Sequence, residues 1–252
     1  MTKKIIIPAV ILVIAAGVFV YSGIKLLGRQ SGLNKGSDTY ESLSSEAVSV
    51  PDEPVYITVD GVSGETVEAP VDVDFDAVKN KIDPVAWIYS EGTPIDYPIM
   101  QADDNDYYLR RLPDGTDNIC GSIFMDHRCP SDFSAFNTII YGHSFQRNSA
   151  YFGTLSKYRN TSYYNDHKYF FINTPYKIYC CTVFAGFVSD GVSTIFNIPQ
   201  TEEEIRQYID YVTAHSDFST DVVCQPTDRI VVLSTCSYEY ENARYVIFAK
   251  LS

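Results

Sequence analysis

Basic residues are scarce in this chain: 19 Lys and Arg stand against 32 Asp and Glu in 252 residues, a formal net charge of −13 at pH 7. Four of the basic residues, Lys3, Lys4, Lys25 and Arg29, precede position 31, so the remainder is more acidic still. A body of that charge repels nucleic-acid phosphates and an anionic membrane surface, and functions built on either are excluded. No Cys-x-x-Cys pair is present, nor a glycine loop of the kind that cradles phosphates, nor an internal repeat or heptad. Six cysteines are present: Cys120, Cys129, Cys180, Cys181, Cys224 and Cys236. Cys120, His127 and Cys129 come nearest to a zinc set but lack a fourth ligand. No metal and no cofactor is expected. The irregular spacing gives no disulfide framework, and a chain of this size does not need such staples.

Long apolar runs are also rare. Residues Ile5 to Ile24 form an uncharged stretch behind Lys3 and Lys4, and about 20 such residues match the hydrocarbon thickness of a bilayer. A cleaved signal peptide is the competing reading. Its apolar core is usually about 7 to 15 residues, and no small-x-small cleavage site follows Gly23, so an uncleaved anchor is expected. Lys25, Arg29 and Lys35 nearly balance the basic residues before the stretch, so the flanks do not fix its orientation. From Gly28 to about Pro70 the chain is rich in Ser, Gly, Glu and Asp and interrupted by Pro51, Pro54 and Pro70. It reads as a tether or loosely packed stalk. The expected division is a tip and anchor over 1–27, a linker over 28–71 and a folded domain over 72–252.

The folded part is mainly β. Candidate strands are Val85 to Tyr89, Ile95 to Met100, Gly121 to Met125, Thr138 to Tyr141, Tyr169 to Asn173, Tyr176 to Val188, Arg229 to Thr235 and Arg244 to Lys250. Turn signals such as Glu91-Gly92-Thr93-Pro94 and Asp190-Gly191 separate them, and many strands with few helices point to a closed or nearly closed barrel. Adjacent Cys180 and Cys181 fall in one strand and should face opposite sides. Two helices interrupt the pattern. Phe75, Val78 and Ile82 repeat at helical spacing before Pro84; Thr201 and Glu204 form a capping box ahead of Ile205, Tyr208, Ile209 and Val212.

Cys236 ends the apolar run that starts at Val231, with a polar turn behind it, His143 far upstream and Arg244 just downstream. A thiol at a strand end can reach a groove and act in acyl transfer, although a buried strand cysteine is the ordinary alternative. Only about 3% of an unperturbed thiol is ionised at neutral pH, so a cationic neighbour favours the nucleophilic thiolate. Arg244 can supply that charge or meet a developing oxyanion, and His143 can exchange protons with leaving and incoming amines. A surface strand charge and a structural histidine remain the alternatives.

At these residues the chain resembles the sortases, class B more closely than class A or the pilin-type classes. The likeness lies in Asp104-Asn105-Asp106-Tyr107-Tyr108-Leu109, Gly121-Ser122-Ile123-Phe124-Met125-Asp126, Ile139-Ile140-Tyr141-Gly142-His143, Leu233-Ser234-Thr235-Cys236 and Arg244, and it extends from about Phe75 to Leu251. The resemblance implies a closed eight-stranded sortase barrel with peripheral helices and an N-terminal transmembrane helix. It implies catalysis by Cys236, His143 and Arg244, and substrate contacts from Ser234, Thr235, Asn105 and Leu109. The implied protein is a monomeric transpeptidase held outside a Gram-positive cell by its anchor. It would cleave an Asn-Pro-x-Thr-like sorting signal on surface proteins and pass the acyl group through a thioester to a peptidoglycan precursor or cross-bridge amine. A pilin lysine as acceptor, a thiol hydrolase and a noncatalytic binding module are the other readings. The family often places an acidic residue directly after the cysteine, whereas this chain has Ser237 there and Glu239 later. The helix after Thr201 and the strand ending at Cys236 are expected to wall an extended peptide groove.

Overall fold

Eight strands pair edge to edge until no edge is left. In the computed structural model, the described backbone covers residues 3–59, 64–145 and 150–252, with side chains described from residue 15. The barrel strands are β1 (Ala86–Tyr89), β2 (Asp96–Met100), β3 (Ile123–Met125), β4 (Asn137–Tyr141), β5 (Tyr169–Asn173), β6 (Ile178–Asp190), β7 (Arg229–Cys236) and β8 (Ala243–Leu251). Around the barrel they run β6-β8-β7-β4-β3-β2-β1-β5, and β5 pairs back onto β6. The β7–β4 and β2–β3 pairs are parallel and the other pairs antiparallel. Closure removes the exposed edges that a strand-rich chain would otherwise present to other chains.

The strands are apolar because both of their faces are covered. Val231, Val232 and Leu233 of β7 and Val246, Ile247 and Phe248 of β8 are all buried. Cys181 packs into the main core while its neighbour Cys180 joins a separate small cluster, as side-chain alternation requires. Near the barrel lie α1 (Lys3–Ala47), α2 (Phe75–Val78), α3 (Thr161–Asp166) and α4 (Glu202–Ala214). The side chain of Asp74 caps α2. Thr201 and Glu204 close the capping box of α4, satisfying amides that the first helical turn leaves without partners.

The stretch expected as a tether behaves differently from that expectation. Residues 28–47 continue α1, and Gly36, Tyr40, Leu43 and Ala47 on one face are buried. The spacing is helical, so the small and polar residues between them simply form the solvent side. Gly36 permits the approach: a Cβ there would lie 2.8 Å from Cys120 Sγ and 2.9 Å from the Tyr151 hydroxyl. Farther on, Val48–Ser49 pairs with Asp72–Val73, Tyr56–Thr58 pairs with Thr66–Glu68, and Val59, Ala69 and Val71 are buried. The span Ile5 to Ile24 lies in part outside the residues whose side chains are described. Among the described residues, no helix is long and apolar enough to cross a membrane.

Candidate active site

The β7–β8 register decides which side chains meet. Cys236 lies directly opposite Arg244 in the antiparallel ladder, and directly opposed residues point to the same face with Cβ atoms about 5 Å apart. On the other side of β7, parallel β4 pairs Tyr141 with Ser234, and the Gly142 amide continues the ladder to the Ser234 carbonyl at 3.0 Å. Two residues past Tyr141, His143 therefore comes level with Cys236, two residues past Ser234. A side chain at Gly142 would strike Ile123 and Phe152, at 2.5 and 2.6 Å, so this tight passage takes only glycine. One cleft of about 250 Å³ is lined by Cys236, His143, Arg244, Ser234, Thr235, Asn105 and Leu109. All seven residues singled out in the sequence thus share one cavity.

His143 is oriented by the loop before β3. Its Nε2 lies 2.8 Å from the Leu109 carbonyl, and a carbonyl only accepts, so Nε2 carries the hydrogen and Nδ1 of the neutral ring keeps the lone pair. Burial lowers the His143 pKa below its usual 6.5; the Leu109 carbonyl pulls the other way, and the charges of Arg110 and Arg244 push it lower. The imidazole is consequently neutral at physiological pH and able to accept a proton. Arg244 Nη1 donates to the Ala243 carbonyl at 3.1 Å. Among the described residues no carboxylate forms an ion pair with it, which leaves most of its donors for a ligand.

The candidate substrate contacts differ in character. Leu109 is 38% exposed and offers an apolar surface to the cleft. Ser234 Oγ and Thr235 Oγ1 are buried with no partner among the described residues, the condition in which a hydroxyl gains most from a substrate hydrogen bond. Asn105 is already engaged, donating to Asp126 Oδ2 at 3.0 Å and accepting from the His127 amide at 2.9 Å. Its side chain thereby fixes the loop that carries Leu109.

Beneath the cleft lies a network that sequence reasoning missed. Asp126 is fully buried and accepts from Arg128 Nε and Nη2 at 2.8 and 2.7 Å and from the Tyr141 hydroxyl at 2.9 Å. Burial alone would raise its pKa, but the hydrogen bonds from Arg128, Tyr141 and Asn105 outweigh that and hold it at about 2. Arg128 Nη2 also donates to the Phe196 carbonyl at 2.9 Å, tying down the segment between β6 and α4. That segment, through Gly191 and Phe196, supplies the wall expected from α4. Glu204, Gln207 and Tyr208 of α4 line a different cleft.

The likeness to known proteins extends over nearly the whole chain. It is 32% identical to sortase B of Listeria monocytogenes over 245 residues, covering 94% of each. The chain belongs to the sortase B family. Among solved structures, a Staphylococcus aureus sortase B–substrate complex superposes with a TM-score of 0.64 at 29% identity, over 70% of this chain and 82% of that one. Sortase B of Bacillus anthracis, in complex with AAEK1, gives 0.69 at 27% identity, over 88% and 98%. No family model matches the chain. As a sortase B, the protein is a cysteine transpeptidase that recognises a sorting signal.

Proposed function

We propose that Cys236 is the nucleophile of this transpeptidase, His143 its acid and base, and Arg244 the donor toward the oxyanion. The observation that carries the assignment is the pairing of Cys236 with Arg244 across β7 and β8, with His143 two residues past the end of the neighbouring strand β4 and lining the same cleft. The Cys236 thiol passes its proton to the neutral imidazole of His143 as the sulfur attacks the carbonyl carbon of the scissile peptide bond, and the thioester forms as the C–N bond breaks and the amine leaves. His143 protonates the departing nitrogen and takes a proton from the incoming one. Arg244, opposite the thiol and without a carboxylate partner among the described residues, stabilises the negative oxygen of both tetrahedral intermediates.

The donor is a surface protein ending in an Asn-Pro-x-Thr-like signal, seated against Leu109, Ser234 and Thr235, with Asn105 bordering the same cleft. The acceptor is an amine of a peptidoglycan precursor or cross-bridge. Residues 1–27 anchor a monomeric enzyme in the cell membrane. The catalytic body over 72–252 lies outside the cell, and residues 28–71 join the two, their described part packing on the barrel from Gly32 onward. Cys236→Ala removes the sulfur and little volume, so the barrel should stay folded while acyl-enzyme formation is abolished. Mass spectrometry of enzyme incubated with a signal peptide reads the adduct and circular dichroism reads the fold. Transpeptidation by the folded variant would overturn the assignment.

A further inference from the structure

Helix α1 lines no part of the donor cleft, yet it reaches the supports of His143 from two directions. The Tyr40 hydroxyl donates to the Gly121 carbonyl at 2.8 Å, a buried bond across 81 residues of sequence. The turn around Gly121 is laid against the segment that carries Leu109. The Ser122 amide donates to the Tyr108 carbonyl at 2.9 Å, the Ser122 hydroxyl to the Arg111 carbonyl at 2.8 Å and the Asn118 amide to the Arg110 carbonyl at 2.8 Å. The Leu109 carbonyl, in the middle of that segment, is the atom that holds His143 Nε2. The second direction is a run of rings. Tyr40 meets Tyr151 edge-on with centroids 5.4 Å apart, Tyr151 meets Phe145 at 5.8 Å, and Phe145 meets His143 at 5.8 Å. A further bond fastens α1 to the same turn, Asn118 Nδ2 donating to the Gly32 carbonyl at 3.0 Å. A buried carbonyl that loses its donor turns toward water. Without the Tyr40 hydroxyl, Gly121 would do so and draw the Leu109 segment with it.

We propose that Tyr40 is a positioning residue for the reaction: given the acid and base role of His143 proposed above, its hydroxyl holds the Leu109 carbonyl on Nε2 and so keeps Nδ1 as the proton-accepting nitrogen. Residues 28–47 then complete the catalytic apparatus as well as joining the body to its N-terminal segment. The rings of Tyr151 and Phe145 hold the plane of the imidazole while the carbonyl holds its tautomer. A base that is fixed in both respects meets the thiol and the amines without first reorienting, and small misplacements of such a group are costly in rate.

The test is Tyr40→Phe in the full chain, which keeps the ring and removes only the hydroxyl. Turnover of a signal peptide per active thiol should fall by about tenfold. KM should stay within about twofold, because Tyr40 borders no part of the donor cleft. Nitrogen-15 labelling of the imidazoles at pH 8, with the His143 signals assigned from their absence in His143→Gln, reads the tautomer directly. Wild type should show a protonated Nε2 and a bare Nδ1, and in Tyr40→Phe the two shifts should move toward each other as the second tautomer is populated. Both turnover and tautomer must respond. A folded variant in which either matches wild type overturns the proposal, whatever its melting temperature, since a merely structural tyrosine would lower only that. Asn118→Ala, which removes the other bond between α1 and the turn, decides the matter by the same two readouts if Tyr40→Phe does not fold. Wild-type enzyme that forms no thioacyl adduct, or His143→Gln that turns over like wild type, instead overturns the transpeptidase reading.

Discussion

The two sides of the donor cleft are built to opposite standards. On the His143 side nearly every polar group is committed: the imidazole to Leu109, the His143 carbonyl to the Phe152 amide at 3.1 Å, and Asn105 to Asp126 and His127. On the Cys236 side the ladder runs one step past the Cys236–Arg244 pair, from the Ser237 amide to the Ala243 carbonyl at 2.8 Å. Tyr238, Tyr240 and Glu241 beyond it are exposed. The guanidinium of Arg244, held by a single bond to the Ala243 carbonyl, pairs with no carboxylate among the described residues, while the base is fixed. A group that must meet charge only in a transition state gains from having no competing partner, whereas a proton carrier gains from a fixed tautomer.

The largest effect should come from disturbing the uncommitted side. Arg244→Lys keeps the charge but loses the planar fork of donors, and loss of an oxyanion contact costs about 2 to 4 kcal/mol. Turnover per active thiol should fall by roughly 30- to 1,000-fold. A rate within twofold of wild type would mean that charge alone is required and that the contrast between the two sides has no catalytic meaning.

The fixed side can be broken from a distance. Gly121 has φ +58, and a Cβ there would lie 2.6 Å from the Leu109 carbonyl oxygen, the atom that orients His143. The Gly121 carbonyl in turn accepts from the Tyr40 hydroxyl of α1 at 2.8 Å. Gly121→Ala combines a left-handed conformation with a backbone clash, so a loss on the order of 2 to 4 kcal/mol is expected in urea denaturation. Turnover of the folded fraction should also fall, because the carbonyl that holds Nε2 must move. Wild-type stability and turnover together would show that this support is dispensable.

How much of this was legible depends on the distance over which each feature is encoded. All eight barrel strands lie within two residues of their sequence expectations, because each is a local run of apolar and β-branched residues between turn signals. Cys236, His143 and Arg244 were legible as residues, but their convergence needed the register of three strands. The helical character of 28–47 was masked by composition: Ser, Gly and Asp suggested a tether, while Gly36, Tyr40, Leu43 and Ala47 carried a helical stripe. The Asp126–Arg128–Tyr141 network left no sequence signal, since Tyr141 sits on a different element from Asp126 and Arg128 and an Asp-His-Arg turn reads as solvated. Phe196 replaced α4 as a cleft wall for the same reason, its position being set by Arg128 from another loop.

Acid should loosen the fixed side through Asp126. Its folded pKa of about 2 lies below the ordinary 3.8, so the carboxylate's stabilisation is complete above 3.8 and is lost as pH falls through about 2. The contribution at neutral pH is on the order of 2 kcal/mol. Asp126→Asn should lower the melting temperature at pH 7 and flatten its dependence on pH between 4 and 2, measured by calorimetry against wild type. An unchanged acid limb would show that the carboxylate is not what joins these loops.

The smallest effect is a titration, and it tests whether the two sides communicate. Burial and the charges of Arg110 and Arg244 lower the His143 pKa below 6.5, although the Leu109 carbonyl opposes them. The unfolded chain therefore binds the proton more readily, so the stability tied to this group is complete above 6.5 and is lost as pH falls through the folded value. Carbon-13 labelling of the four histidines, with the His143 signal assigned from its absence in His143→Gln, should give a midpoint below 6.5. Arg244→Gln removes one of the opposing charges and should move that midpoint upward without altering the tautomer set by Leu109. A midpoint at or above 6.5 in the wild type would mean that the cleft admits enough water to cancel the burial, and His143 would then be charged for part of its working range. A midpoint unmoved by Arg244→Gln would show instead that the guanidinium points away from the imidazole, and the two groups would have to act on separate steps.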